Sequence, residues 1–247
     1  MAALDGERIV VTGASRGLGR SMSERFVREG ASVALVSRSR DPLEEIADEL
    51  ADEPGDTLVV TADVRDEADA EAAITDTVAA FGGVDTLVNN AAVGLLSLGD
   101  GGKRLADVTL EEWETIMETN LTGVYLFSRF ALPHMVEQGR GNVLNVSSGL
   151  GRRPAPNYAP YVASKYGLEG LTGSVAMEYE DEGVNVNAVD PGGRVNTGFW
   201  DHLPDDERES ILQADVMDDA AVLLAAQGPD GVTGESLAVD EWETRLG

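Results

Sequence analysis

A tyrosine and a lysine four residues apart, Tyr161 and Lys165, are the most informative pair of side chains in this sequence. On a helix the two would share one face, and the positive charge of an ammonium favours the ionised form of a nearby phenol. Ser148 lies thirteen residues before the tyrosine. The combination points to an oxidoreductase, although a Tyr-x-x-x-Lys pair arises by chance in about 4 of 100 such chains.

The composition limits what kind of protein this is. A length of 247 residues and a hydrophobic fraction of 43% suffice for one large α/β domain. The net charge of −27 argues against nucleic acid and anionic membranes as partners. No apolar run is long enough to span a bilayer, the first residues do not resemble a signal peptide, and cysteine is absent. We therefore expect a cytoplasmic protein without disulfides or thiolate chemistry.

The acidity is itself informative, because 45 acidic residues face only 18 basic ones and lysine occurs only twice. Such a charge makes the folded state repel itself, and salt relieves the repulsion by screening. We interpret this as adaptation to the salt-rich cytoplasm of a halophile. The alternative is an ordinary acidic protein.

Short β-branched runs alternate with longer helical patterns along the whole chain, without a repeat or a linker. This alternation predicts a parallel, doubly wound sheet with helices on both faces. The predicted strands are 8–12, 32–37, 57–62, 84–89, 142–147, 184–189 and 235–239. The predicted helices include 43–50, 67–81, 121–137 and 161–179, and Thr109 with Glu112 forms a plausible capping box. A glycine-rich loop is expected over 99–102.

A glycine-rich turn, Thr12-Gly13-Ala14-Ser15-Arg16-Gly17-Leu18-Gly19, stands between the first predicted strand and the first helix. Glycines at this place let the backbone approach a pyrophosphate, and the N-terminus of the helix offers free N–H groups. The position at the start of a βαβ unit favours a dinucleotide site over a simple structural turn.

Taken together, these motifs resemble the short-chain dehydrogenase/reductase family over nearly the whole chain, from about residue 6 to residue 240. The motifs are the Gly13, Gly17 and Gly19 spacing, Asn89-Asn90-Ala91-Ala92, Asn120, Ser148, the Tyr161 and Lys165 pair, and Pro191-Gly192. The resemblance implies a single-domain Rossmann fold with a seven-stranded sheet over residues 1–247. It also implies a homotetramer assembled partly through the helices at 121–137 and 161–179, whose apolar faces could equally serve only the core.

The resemblance also implies a role for each catalytic residue. Tyr161 would exchange a proton with the substrate oxygen, and Lys165 would lower the pKa of its phenol and hold the nicotinamide ribose. Ser148 would donate a hydrogen bond to the carbonyl oxygen, and Asn120 would hold a water that links Lys165 to solvent. The alternatives are a strand-end cap for Ser148 and a helix cap for Asn120.

The end of the second strand indicates the cofactor. A carboxylate there would select NAD, but the residues are Ser37-Arg38-Ser39-Arg40. Arg16 and Arg38 could clamp a 2′-phosphate and Ser37 could bind it, which predicts NADP(H). Otherwise, Arg38 and Arg40 are solvated loop charges. The full set expected to contact the cofactor is Gly13, Ser15, Arg16, Gly17, Leu18, Gly19, Ser37, Arg38, Ser39, Asp63, Val64, Asn89, Ala91, Tyr161, Lys165, Pro191, Gly192, Val195 and Thr197.

Two details depart from the family pattern. The segment from Pro191 to Thr197 is one residue longer than usual, and Ala92 stands where glycine is common. Neither departure removes a catalytic group.

The substrate is less well defined by the sequence. Phe199 and Trp200 could wall an apolar pocket in a flap over 198–203, or could pack in the core. Arg152, Arg153 and Arg194 could receive an anionic substrate together with Ser148, or could pair with surface carboxylates. His202 is expected on the flap surface and His134 at a helix end, and no metal site is expected.

Three functions remain open. The first is an NADP-dependent oxidoreductase acting on a ketone or secondary alcohol, with 3-oxoacyl thioester reduction or glucose-type sugar oxidation as variants. The others are a catalytically silent NADP-binding regulator and a structural subunit. Both are disfavoured because Asn120, Ser148, Tyr161 and Lys165 are all present.

The charge composition generates the first testable prediction. Salt at molar concentration should raise the melting temperature well beyond the effect of generic solute exclusion, because it screens the repulsion among carboxylates. Thermal melting in low and in molar KCl measures this. A melting temperature that rises no more than that of an ordinary acidic protein would contradict salt adaptation.

Overall fold

The computed structural model describes residues 2–99, 101–200 and 203–247. In this part of the chain seven strands form one parallel sheet in the order β3-β2-β1-β4-β5-β6-β7. The strands are β1 (Arg8–Thr12), β2 (Ser32–Ser37), β3 (Thr57–Thr61), β4 (Thr86–Asn89), β5 (Gly141–Val146), β6 (Val184–Asp190) and β7 (Ser236–Ala238). The predicted single-domain, doubly wound α/β fold is therefore confirmed.

Helices cover both faces of this sheet. They are α1 (Gly17–Arg28), α2 (Arg40–Glu49), α3 (Glu67–Phe81), α4 (Leu110–Met117), α5 (Gly123–Gln138), α6 (Ala159–Tyr179), α7 (Asp205–Glu209), α8 (Asp218–Ala225) and α9 (Val239–Leu246). One apolar cluster packs α1, α2, α8 and α9 against the sheet, and a second packs α3, α5 and part of α6. No described helix combines the length and the hydropathy needed to cross a membrane.

The boundaries of several elements were predicted correctly. β1, β2 and α3 have the predicted bounds, and Thr109 with Glu112 caps α4 as expected. β4 begins at Thr86, two residues later than predicted, and the side chain of Gln138 binds both backbone groups of Val84. The start of α5 was also misplaced, since a π-helical turn, Glu118–Thr122, precedes it.

The sheet reverses its order between β1 and β4, so the loops after these two strands diverge and leave a crevice at the carboxyl edge. Ligands of open α/β sheets bind at such a crevice. In the predicted loop over 99–102 and the predicted flap over 198–203, Asp100, Asp201 and His202 lie outside the described residues.

Candidate active site

A cavity of about 880 Å³ occupies this crevice. Loops that follow β1, β2, β3, β4, β5 and β6 all contribute to its wall. Most of the predicted site residues lie in this wall, namely Gly13, Ser15, Arg16, Gly17, Leu18, Ser37, Arg38, Ser39, Asp63, Val64, Ala91, Ser148, Arg153, Tyr161, Lys165, Pro191, Gly192, Arg194, Val195, Thr197, Phe199 and Trp200.

The glycine-rich turn brings backbone to the cavity where a side chain would not fit. Gly17 has a φ of 56°, a left-handed conformation that favours glycine. A Cβ on Gly19 would lie 2.3 Å from the carbonyl oxygen of Gly13, so Gly19 packs against the turn and does not line the cavity. No side chain caps the N-terminus of α1. Its free N–H groups and the close backbone fit a bound pyrophosphate.

Two arginines extend this part of the cavity. Arg16 lies against Gly198, with its guanidinium carbon 2.6 Å from where a Cβ would stand. Arg38 follows β2 and contributes to lowering the pKa of Asp63, although the hydrogen bond from Arg65 has the larger effect. Ser37 faces its own loop, since its hydroxyl donates to the carbonyl of Ser39 at 2.9 Å. Within the described chain, neither arginine forms an ion pair.

Asn89 is not in the cavity wall. Its amide nitrogen donates to Asn145 at 2.9 Å and to Ser128 at 3.2 Å, within the sheet and the helix beneath it. The next residue, Asn90, lines the cavity and donates to the carbonyl of Thr12 at 2.9 Å. Successive side chains of a strand point to opposite faces, and this alternation could have indicated that Asn90 lines the cavity in place of Asn89.

Lys165 is buried, with 3% of its surface exposed. Its Nζ donates to the carbonyl oxygen of Val146 at 2.7 Å, which ties α6 to the end of β5. Burial lowers the pKa of Lys165 to about 8, and the charges of Glu169 and Asp190 oppose this change. The ammonium form is therefore dominant only below about pH 8.

Tyr161 and Ser148 lie within hydrogen-bonding reach of each other. Burial raises the pKa of Tyr161 to about 12, the hydrogen bond with Ser148 lowers it, and the charge of Asp190 raises it. The expectation that the phenol of Tyr161 is more acidic than usual is therefore wrong for the protein alone. The ammonium of Lys165 lies 5.7 Å from the centre of the phenol ring, and burial of the phenol has the largest effect on its pKa.

Asn120 stands behind the wall, 1% exposed in the π-helical turn. Its amide accepts from the N–H of Val93 and donates to the carbonyl of Val93, both at 2.8 Å. It also donates to the hydroxyl of Ser164 at 3.0 Å, and Ser164 donates to the carbonyl of Tyr161 at 2.8 Å. Asn120 thereby fixes the loop after β4 to the start of the helix that carries Tyr161.

Asp190 was missed by the sequence analysis, although an acidic residue directly before Pro191-Gly192 was a visible signal. It lines the cavity and is 5% exposed. One of its oxygens accepts from Arg152 at 2.9 Å and the other from the N–H of Gly192 at 3.0 Å. Arg152 also donates to the carbonyl oxygen of Ser236 at 2.5 Å. With its guanidinium held by these two contacts, Arg152 does not line the cavity.

The remaining substrate candidates, Phe199, Trp200 and Arg194, line the same cavity as Tyr161. Phe199 meets the ring of Tyr161 edge-on, with centroids 5.8 Å apart. The guanidinium of Arg194 lies 5.3 Å from the ring centre of Trp200. The longer segment that carries Arg194 is held by Leu212, which donates to the carbonyl of Arg194 at 3.1 Å and accepts from Asn196 at 2.7 Å. The extra residue therefore does not leave the segment unsupported.

Comparison with known proteins decides the family. A model of short chain dehydrogenases matches residues 7–208. The chain belongs to the short-chain dehydrogenase family. It is therefore an oxidoreductase that acts on alcohol or carbonyl groups with a nicotinamide cofactor.

Similar short-chain dehydrogenases have different substrates. The chain is 34% identical to a 3-oxoacyl-(acyl-carrier-protein) reductase of Staphylococcus aureus, over 94% of this chain and 95% of that protein. It is 32% identical to a glucose 1-dehydrogenase of Gluconobacter oxydans, over 98% and 93%. A solved metagenomic short-chain oxidoreductase in complex with NADP is 32% identical, with a TM-score of 0.82 over 96% of this chain and 97% of that one.

The position of Asp190 generates a prediction for this short-chain dehydrogenase. Asp190→Asn should move the basic limb of the pH profile for carbonyl reduction to lower pH. The carboxylate stabilises the protonated forms of both Lys165 and Tyr161, so removing its charge lowers the pKa of each. The measurement is kcat/KM between about pH 6 and pH 10.

The matched control for this prediction is Asp230→Asn. Asp230 is an exposed carboxylate in the loop between α8 and β7, and its substitution changes the net charge by the same amount. The control should leave the basic limb in place. A limb that moves equally in both variants, or in neither, would contradict a local effect of Asp190.

Proposed function

We propose that this protein is an NADP(H)-dependent reductase of a ketone or aldehyde, or a dehydrogenase of the corresponding alcohol. The observation that carries the proposal is that Ser148, Tyr161 and Lys165 lie together in the wall of one cavity, which also carries Arg16 and Arg38. The proposed domain is the whole chain, residues 1–247.

A nicotinamide held in this cavity would supply the hydride in reduction and accept it in oxidation. In reduction, the hydroxyl of Tyr161 gives its proton to the substrate oxygen, and Ser148 donates a hydrogen bond to that same oxygen. The high pKa of Tyr161 keeps the phenol protonated at neutral pH, as a proton donor must be. Lys165, an ammonium below about pH 8, stabilises the phenolate that remains until solvent returns the proton.

The cofactor is assigned to NADP(H) because the end of β2 carries cations and no carboxylate. Arg16 and Arg38 line the cavity and form no ion pair within the described chain, so both can bind a phosphate. The neighbour solved with NADP supports this choice. Asn120, Gly19 and Asn89 support the cofactor and catalytic loops from behind the wall.

A sugar dehydrogenase is the second candidate, favoured by the similarity to a glucose 1-dehydrogenase. A 3-oxoacyl thioester is the corresponding candidate from the Staphylococcus relative. A silent NADP-binding regulator would need no tyrosine and lysine in these positions. Turnover decides among these possibilities.

We also propose a homotetramer in a salt-rich cytoplasm. Large apolar side chains on α5 and α6 support the assembly, since Tyr125, Tyr166 and Met177 are 47%, 44% and 82% exposed. The interface would cover these side chains. Light scattering in molar KCl should give four times the mass of one chain, and the mass of a single chain would overturn the proposal.

The test of the reaction is Tyr161→Phe. The variant should lose about 10²- to 10⁴-fold in kcat, because it cannot transfer the proton. Initial rates are measured with NADPH in molar KCl on acetoacetyl-CoA, neutral ketones and aldehydes, and with NADP⁺ on glucose. Binding of NADPH, followed by its fluorescence, should be unchanged. Full turnover by the variant would contradict the mechanism, and binding without any turnover by the wild type would favour the regulator.

The test of the cofactor assignment is Arg38→Ser. It should lower the ratio of kcat/KM for NADPH to that for NADH by about 10- to 100-fold, as expected for one charge-assisted contact. Arg40→Ser is the matched control, because Arg40 pairs with Glu44 at 2.7 Å and does not line the cavity. Equal use of NADH and NADPH by the wild type, or equal effects of the two variants, would refute the phosphate clamp.

A further inference from the structure

Cations are scarce in this protein, and the distribution of the unpaired ones is uneven. Most described arginines form an ion pair with a carboxylate. In residues 2–99, 101–200 and 203–247, the arginines for which no ion pair is found are Arg16, Arg38, Arg104, Arg153 and Arg194. All of these except Arg104 line the cavity. In a chain with 45 acidic residues, this concentration is unlike a random distribution of surface charge.

The four cavity arginines fall into two groups. Arg16 and Arg38 follow β1 and β2, on the side of the glycine-rich turn. Arg153 and Arg194 follow β5 and β6, on the side of the catalytic residues. The cofactor phosphate is assigned to Arg16 and Arg38, so the second group has no assigned ligand.

Both arginines of the second group are close to the reacting side chains. A terminal nitrogen of Arg153 lies 3.1 Å from where a Cβ on Gly149 would stand, and Gly149 directly follows Ser148. Arg194 stacks on Trp200, whose neighbour Phe199 contacts the ring of Tyr161. The two cations thus come from separate loops that also carry neighbours of Ser148 and Tyr161.

The nearby carboxylate is already neutralised by another residue. Asp190 binds Arg152 at 2.9 Å, and neither Arg153 nor Arg194 comes within ion-pair distance of it. Arg153 and Arg194 are exposed at the cavity and keep their guanidinium donors available. A guanidinium fits the oxygens of a carboxylate or a phosphate, often with two hydrogen bonds.

The wall of the cavity also contains apolar side chains. Leu95, Leu96, Leu150 and Phe199 line it. A bound molecule would therefore combine an apolar segment with a charged end.

We propose that Arg153 and Arg194 form the binding site for an anionic group of the substrate. The substrate is then a ketone or aldehyde, or the matching alcohol, that carries a carboxylate or phosphate at the end of a short apolar segment. This inference rests on the proposed function, since it uses the same cavity. It removes Arg152 from the docking set expected from the sequence.

The experiment compares an anionic carbonyl compound with its neutral analogue, which is called its neutral partner. One pair is acetoacetate and methyl acetoacetate, which tests a carboxylate. The other pair is dihydroxyacetone phosphate and dihydroxyacetone, which tests a phosphate. The variants are Arg153→Ser, Arg194→Ser and their combination. Arg104→Ser is the matched control, because Arg104 is an exposed arginine outside the cavity and has no ion pair with any described residue. KCl is kept at the lowest concentration that preserves folding, since salt screens such contacts.

The expected result is that at least one anion binds more tightly than its neutral partner. Each single substitution should raise its KM about 10-fold or more, as for a charge-assisted hydrogen bond, and change the neutral partner less than about 2-fold. Arg104→Ser should change neither. Equal effects on both partners, or no preference of the wild type for either anion, would overturn the proposal.

Two further readouts separate this proposal from the others. The dissociation constant of NADPH, measured from its fluorescence, should be unchanged in Arg153→Ser and Arg194→Ser. Variants that bind NADPH more weakly but bind the anion as well as the wild type does would overturn the proposal. Calorimetry of the anions with the Tyr161→Phe protein and NADP⁺ measures binding without turnover. Arginine-dependent binding there supports the anion site even if Tyr161→Phe shows that the proposed reaction is wrong.

Discussion

The hydrogen bond from Lys165 to the carbonyl oxygen of Val146 is the contact on which the proposed active site depends. It places a buried cation at the carboxyl end of β5 and fixes the helix that carries Tyr161 against the sheet. A buried ammonium is costly, so the surrounding groups must offset its desolvation. Glu169 and Asp190 do so from the two sides of the lysine, one on its own helix and one at the end of β6.

Hydrogen bonds join the neighbouring loops to this centre and fix the positions of the proposed catalytic groups. Asn120 and Ser164 connect the loop after β4 to the backbone of Tyr161. Arg152 and Asp190 connect the loop after β5 to the end of β6. Since catalysis requires donors positioned before the substrate arrives, these supporting contacts are as much a part of the site as Tyr161 itself.

Local sequence patterns predicted the bounds of those strands and helices whose ends are determined by neighbouring residues. β1, β2 and α3 have their predicted bounds because the apolar runs and the caps define them, as with Asp66 and Gly82 at the ends of α3. The directions of side chains and the contacts between residues far apart in the sequence were harder to predict. Asn89 points into the sheet, Arg152 pairs with a carboxylate 38 residues away, and the pKa of Tyr161 follows from burial that the sequence does not display.

The central claim, a buried and perturbed Lys165, has a direct test because the chain has only two lysines. Protein labelled with ¹³C at the lysine side chains should give two Cε signals, and Lys103→Arg assigns them. We expect the Lys165 signal to titrate near pH 8. A Lys165 signal that titrates at the ordinary value for lysine, about 10.4, would contradict the account.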